Sequence, residues 1–365
     1  MAITAPRALV VGTGFGCRIH VPALRAAGFE VAGLVGTDTG RTAQRAQACG
    51  VGEAFVDLDE AIRKTGAQAV TIASPPHTHA ALTMTALSHG CHVICEKPMA
   101  NSLDEARAML AEAERAGVTH LIGHQFRWSP ERAVIGGALR QGVIGEPRFL
   151  TLVSYLPLLA DPDKRMPPWW FDTSAGGGWL GAHGSHVVDQ VRSWLGEFAS
   201  VSAALPMVSE RTAVAEDSYV LRFRLTNGVE GVMQHTAGAW GAPADMVRVA
   251  GTGGTLWTEA GAVHIADRNG SRELAVPDEL VLPASPGGGN THMNPGPYIR
   301  LCEVLRAGVE GREPPVGVVS PPTFYDGLAC MEVLDAVRRS AANDGMLVAV
   351  NRGGAGESST GNNRK

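Results

Sequence analysis

The first 127 residues alternate between short apolar runs and longer amphipathic stretches. "RALVVGTGFG" is apolar until it breaks into glycines, and "CRIHVPALRAAG" then shows helical spacing that stops at Gly28. "FEVAGLVG", "AQAVTIAS", "CHVICEK" and "THLIGHQ" read as further buried strands. Between them, "RTAQRAQACG", "HTHAALTMTALSHG" and the Ser-capped "SLDEARAMLAEAERAG" read as helices. Such alternation predicts βαβ units and a parallel sheet. Right-handed crossovers bring the strand ends to one edge, where ligands bind in sheets of this kind.

Beyond "WSPERAVIGGALRQGVIGEP" the period shifts to two. "RFLTLVSYL", "SVSAALPMV", "SYVLRFRLTNGVEGVMQH" and "MVRVAGTGGTLWTEAGAVHIA" read as strands, with hairpin turns at Thr226-Asn227-Gly228 and Gly251–Gly254. Helices are expected at "GSHVVDQVRSWLG", "PYIRLCEVLRAGVEG" and "FYDGLACMEVLDAVRRSAAN". "PASPGGGNTHMNPGP" is a glycine- and proline-rich loop, either a flap or a long connection. The expected fold class is α/β: a Rossmann-like domain over 1–127, then an α+β domain with an open, mostly antiparallel sheet over 128–350. The polar tail 351–365 is expected to be disordered.

A chain of 365 residues, 45% hydrophobic and 18% charged, fits two globular cores. A net charge of -5 without a basic excess argues against general nucleic-acid binding. No basic leader and no apolar run of about 18 residues is visible, so neither export nor a membrane span is expected. Six scattered cysteines read as reduced thiols, which points to a cytoplasmic protein, and their spacing offers no zinc site. The Asn269-Gly-Ser sequon reads as coincidence in such a chain.

"VVGTGFGC" puts Gly12, Gly14 and Gly16 between a strand and a helix. Gly12 permits the tight turn, and Gly14 lets the backbone approach a pyrophosphate at the positive helix end. The fingerprint is imperfect, since its third glycine position falls on Cys17. The carboxylate that grips a ribose should stand near Gly36, where the chain reads Gly36-Thr37-Asp38 with Arg41 following. That arrangement leans toward NADP over NAD, unless Asp38 shifts to reach the ribose.

With "ASPPHTHAALTMTALSHGCHVICEKPMA", "GHQFRWSP" and "GGGWLGAHGSHVVDQ" added, the chain resembles the Gfo/Idh/MocA oxidoreductases over nearly its whole length. The resemblance implies an NAD(P)-dependent dehydrogenase or reductase acting on CH–OH groups of a sugar, polyol or related small molecule. It implies a cofactor shell that adds Phe15, Ser74, Pro75, His79 and Glu96 to the glycine turn, Thr37 and Arg41. It places Lys97 of "EKP" at the nicotinamide and the reacting oxygen, after a peptide bond pattern in which Lys97–Pro98 is cis. It makes His186 the acid/base or a substrate ligand, usually with an aspartate four residues earlier; here that position is Ala182. It also implies homodimers or homotetramers through the C-terminal sheet.

An ammonium near a developing alkoxide and a histidine that takes its proton are what carbinol oxidation requires. Arg127, Trp128, Trp170, His183 and Asp189 are the candidate substrate residues. His183 either fills the role of the missing aspartate or packs in the core, and Asp189 either binds substrate or charges a helix surface. The tryptophans form either a sugar wall or core. Two other readings stay open: a glycoside-cleaving enzyme that recycles its cofactor, and a dinucleotide sensor without catalysis.

Overall fold

The computed structural model describes residues 5–212, 215–282, 295–314, 317 and 319–351. The tail from 352 and most of the "PASPGGGNTHMNPGP" segment lie outside the described residues. The N-terminal unit runs β1 (Arg7–Val11), α1 (Val21–Ala26), β2 (Glu30–Val35), α2 (Thr39–Ala48), β3 (Ala54–Phe55), α3 (Leu58–Thr65), β4 (Ala69–Ile72), α4 (His79–Ser88), β5 (His92–Cys95), α5 (Leu103–Ala116) and β6 (His120–Ile122). Its six strands are all parallel, in the order β3-β2-β1-β4-β5-β6. Every residue of β4 is buried, because helices cover both faces of such a sheet and leave no polar side.

Local chemistry fixes the helix ends. Ser102 and Glu105 form a capping box at the start of α5, and Gly117 closes the helix at φ 65°. The sequence pattern gave no element for β3 or α3. The latter opens on Asp57, whose carboxylate accepts from the Glu60 N–H, and it closes on Gly66.

The second unit comprises α6 (Pro130–Arg140), β7 (Pro147–Tyr155), α7 (Ser185–Leu195), β8 (Phe198–Ala204), β9 (Ser218–Leu225), β10 (Glu230–Thr236), β11 (Ala244–Gly251), β12 (Gly254–Glu259), β13 (Ala262–Asp267), β14 (Gly270–Leu274), α8 (Gly296–Val309), α9 (Phe324–Ala341) and β15 (Val348–Ala349). Nine strands lie in the order β14-β13-β12-β11-β7-β10-β9-β8-β15, antiparallel except for the β7–β10 pair. Strict alternation along β9 buries Leu221, Phe223 and Leu225 while Val220, Arg222 and Arg224 face out. β14 and β15 were not anticipated from the sequence.

The chain then returns to the first unit. The Arg306 guanidinium of α8 donates to the Ala27 carbonyl at 3.0 Å, and Ile122 of β6 donates to Pro322 at 3.1 Å. Helix α9 packs against both α5 and β8, so it belongs to both cores. No described helix is long and apolar enough to cross a membrane.

Candidate active site

The glycine turn ends β1. Gly12 has φ 107°, and a Cβ there would stand 2.3 Å from the Ala73 carbonyl oxygen, so only glycine fits. At Gly14 the situation is the reverse: a Cβ would meet no protein atom within 4 Å. The backbone therefore faces an open cradle at the start of a helical stretch, a π-turn (Gly16–His20) running into α1 with no acidic residue in its first turn. These features fit a dinucleotide pyrophosphate.

At the end of β2, Asp38 is occupied. Its carboxylate accepts the Arg41 backbone N–H at 2.7 Å and caps α2. The Arg41 side chain donates to the Thr37 hydroxyl at 3.3 Å. A Cβ on Gly36 would collide with Thr42 Oγ1 at 2.3 Å and Thr13 Cγ2 at 2.8 Å, so the turn itself excludes a carboxylate at that position.

Between the turns after β4 and β5 lies His79. Its Nδ1 is 2.9 Å from the Pro98 oxygen and its Nε2 2.9 Å from the Ser74 oxygen. Expected as a cofactor contact or a helix cap, the buried ring ties the Ser74-Pro75 turn to the Glu96-Lys97-Pro98 turn. Glu96 is likewise buried: it accepts the Lys97 N–H, and its other oxygen lies 3.4 Å from His20 Nε2. Burial would raise this carboxyl, but His20 and the Lys97 charge reverse the effect and hold it below its usual range.

The Lys97–Pro98 peptide is cis. Lys97 Nζ donates to the Ala182 carbonyl at 2.7 Å, leaving two N–H groups for other acceptors. Burial lowers the Lys97 pKa, and the Glu96 charge partly opposes this. Where an aspartate was expected at 182, the backbone oxygen takes the lysine. Three residues beyond His183, His186 is buried and stacks on Phe126, with centroids 4.1 Å apart and planes at 22°. Burial first, then the charges of Lys97 and its neighbours, keep His186 neutral well below its ordinary pKa.

The "FRWSP" segment requires a correction. The Arg127 guanidinium donates to Asp189 at 2.8 and 2.5 Å and pairs with Asp326 at 2.8 Å, so its charge is consumed. Asp189 is 1% exposed, neither a helix-surface charge nor free for substrate. Burial alone would raise its carboxyl, yet Arg127 and His124 hold it far below the usual range. Trp128 is core. The residue of this segment that reaches the centre is Phe126, whose ring is covered by the Arg132 guanidinium at 4.8 Å. His124, Asp189 and Cys330 cluster closely enough for a metal, but Arg127 already holds the carboxylate.

His183 packs against its aromatic neighbours. Its ring lies flat on Trp179, 4.7 Å away at 2°, and its Nδ1 is 3.4 Å from the Tyr219 hydroxyl. Trp170 is half-buried beside Trp179 and packs against the core.

Beyond His183 lies a set of residues that the sequence reading missed. Asp245, Ser154, His235 and Tyr219 sit directly opposite one another on β11, β7, β10 and β9, forming one polar rung on the inner sheet face. The row beneath, Val247, Leu152, Met233 and Leu221, is apolar. The signal was available: in each strand, the period-two inner positions turn from apolar to polar at the same level.

A parallel sheet with a glycine turn, and a lysine–histidine pair facing a second sheet, define a two-lobed dinucleotide-dependent oxidoreductase. Residues 7–124 match the family described as oxidoreductases with an NAD-binding Rossmann fold, and residues 135–257 match the GFO/IDH/MocA C-terminal domain. The chain belongs to the Gfo/Idh/MocA family. It is 30% identical over 292 residues to D-apiose dehydrogenase of Paraburkholderia graminis, covering 76% of this chain and 74% of that one. Levoglucosan dehydrogenase of Pseudarthrobacter phenanthrenivorans is 28% identical over 316 residues, covering 75% and 78%. A structure of levoglucosan dehydrogenase in complex with NADH and L-sorbose superposes with TM-score 0.84 at 25% identity, over 96% of this chain and all of that one.

Proposed function

We infer that the protein transfers a hydride between a nicotinamide dinucleotide and a carbinol or carbonyl carbon of a sugar, polyol or related small molecule. The observation that carries this reading is the placement of Lys97 and His186. Lys97 is pinned by the Ala182 carbonyl, which stands one turn of chain before the buried, neutral His186. The bound nicotinamide supplies or accepts the hydride. In the oxidising direction His186 takes the hydroxyl proton, and the two remaining Lys97 N–H groups stabilise the oxygen as negative charge develops. Phe126, held between His186 and Arg132, excludes water from one face of the imidazole.

NADP is favoured over NAD in this reading, because Asp38 is spent on capping α2 while Arg41 stands beside Thr37. The exposed sheet face, with Phe149, Val220 and Met246 each more than 40% exposed, fits contact with a second copy in a homodimer or homotetramer. Six unpaired cysteines suit a reducing cytoplasm.

The test incubates the protein with NAD or NADP and a panel holding levoglucosan, D-apiose, L-sorbose and myo-inositol, and follows absorbance of reduced cofactor. Net reduction with at least one member is expected. Cleavage of an aryl glycoside without net reduction would point instead to the cofactor-recycling reaction.

A further inference from the structure

Two buried imidazoles meet at the seam between the lobes. His124 follows β6, where its N–H donates to the Ile122 carbonyl at 2.7 Å in a three-residue turn. His186 belongs to α7 of the other lobe. Their ring centroids are 5.6 Å apart with planes at 63°. His124 is 2% exposed and His186 5%. Neither nitrogen of His124, nor Nδ1 of His186, has an aligned hydrogen-bond partner. Buried polar groups are nearly always satisfied, and three such nitrogens in adjacent rings are best satisfied in one connected series.

The neighbours define that series. Phe126 covers one face of His186 at 4.1 Å, so the ring bonds through its edge, where both nitrogens lie. His124 Nδ1 stands 3.3 Å from Asp189 Oδ1, and two bonds from Arg127 fix that carboxylate in turn. Arg127 and His124 hold the Asp189 carboxyl far below its usual range, so it only accepts. A small tilt of either ring brings facing nitrogens from this centroid separation into hydrogen-bond range.

One placement of protons then satisfies every member. Asp189 accepts the Nδ1–H of His124, His124 Nε2 accepts the Nδ1–H of His186, and His186 Nε2 keeps its lone pair. That lone pair is what a base needs. With the proton on Nε2 instead, His186 would meet the substrate as a donor and could not take a hydroxyl proton. Burial and nearby positive charge keep His186 neutral, so its tautomer decides whether it can act. Residue 182 offers no carboxylate for this task.

We propose that His124, oriented by Asp189, is the positioning residue that fixes the tautomer of His186 and leaves its Nε2 as the proton acceptor. This assignment rests on the oxidoreductase reading given above. As the substrate O–H bond breaks, its proton forms the His186 Nε2–H bond and the hydride leaves carbon for the nicotinamide. His124 Nε2 accepts from the imidazolium that results.

The experiment uses NADH-loaded protein containing histidine labelled with the heavy nitrogen isotope. Nitrogen chemical shifts distinguish a proton on Nδ1 from one on Nε2, and loss of a signal in His186→Ala assigns it. Turnover is followed by absorbance of reduced cofactor, with levoglucosan, D-apiose, L-sorbose and myo-inositol as probes. In the parent, His186 should carry its proton on Nδ1. In His124→Phe that proton should move to Nε2 and kcat should fall at least about tenfold, with KM and NADH affinity unchanged. His124→Gln, whose amide both donates and accepts, should restore the Nδ1 form and most of the turnover.

A parent His186 protonated on Nε2 would overturn the proposal, as would an unaltered tautomer or unaltered kcat in His124→Phe. So would a His124→Gln protein no better than His124→Phe, because a space-filling role would not separate them. If His124→Phe does not fold, the parent spectrum and His124→Gln still decide. The spectrum needs no turnover, so absence of hydride transfer with every probe sinks the reaction alone, and the tautomers still judge the assignment.

Discussion

The two lobes build their halves of the site from different materials. On the Rossmann side the binding surface is backbone: Gly12 and Gly14 clear the way, and the helical start offers N–H groups. On the sheet side the facing surface is side chains, four of them from four strands, with Ser154 well separated in sequence from Tyr219, His235 and Asp245. A backbone surface recognises what every dinucleotide shares, namely its phosphates. A surface of side chains can be rewritten one residue at a time, which suits the partner that differs between relatives. Lys97 and His186 stand at the seam, one contributed by each lobe.

The seam carries the largest expected effect. Lys97→Ala and His186→Ala should each reduce turnover by about a hundredfold or more, while NADH fluorescence titrations remain as in the parent. A large loss of cofactor affinity in either variant would blur the division between lobes. Next comes the glycine cradle. Gly14→Val should weaken dinucleotide binding about thirtyfold with little change in melting temperature, because its side chain enters space that no protein atom occupies. The same change at Gly12 should instead destabilise the fold, since it meets the Ala73 carbonyl.

Side chains matter on the cofactor side at one point. Arg41→Ala should shift the ratio of NADP to NAD affinity toward NAD by about tenfold, measured by titration with both reduced cofactors. An unchanged ratio would leave the backbone as the sole determinant there.

The smallest effect is on pH dependence. His186 stays neutral below pH 6.5, so oxidation should not fall as pH drops through that value on account of this residue. The folded pKa of Lys97 lies below 10.5, so its charge is present at neutral pH and lost as pH rises through the lowered value. The alkaline limb of turnover should therefore appear before pH 10.5. Because the Glu96 charge raises the Lys97 pKa, Glu96→Gln should move that limb to still lower pH. A limb that stays in place would mean a different group governs it.

The contrast between lobes also explains what could be read from the chain. The glycine turn, the "EKP" turn and His186 are local, and local spacing carries their chemistry. Arg127 and Asp189 looked available because sequence does not show that they neutralise each other across 62 positions. Phe126 was overlooked because an aromatic beside a charge carries no signal of which one turns inward. The absent carboxylate at Ala182 was visible, but not that a backbone oxygen would hold the lysine there. The rung needed the register of four strands, and register is set by tertiary pairing.

The returning helices place a constraint on how this architecture can change. Fragment 1–127 would lack Arg306 against Ala27 and Pro322 beside Ile122, and would leave α5 without α9. A recombination that exchanged the large sheet would also exchange these helices, and with them part of the packing beneath the cofactor edge. Point substitution on the strands leaves these contacts in place, whereas exchange of a whole lobe removes them.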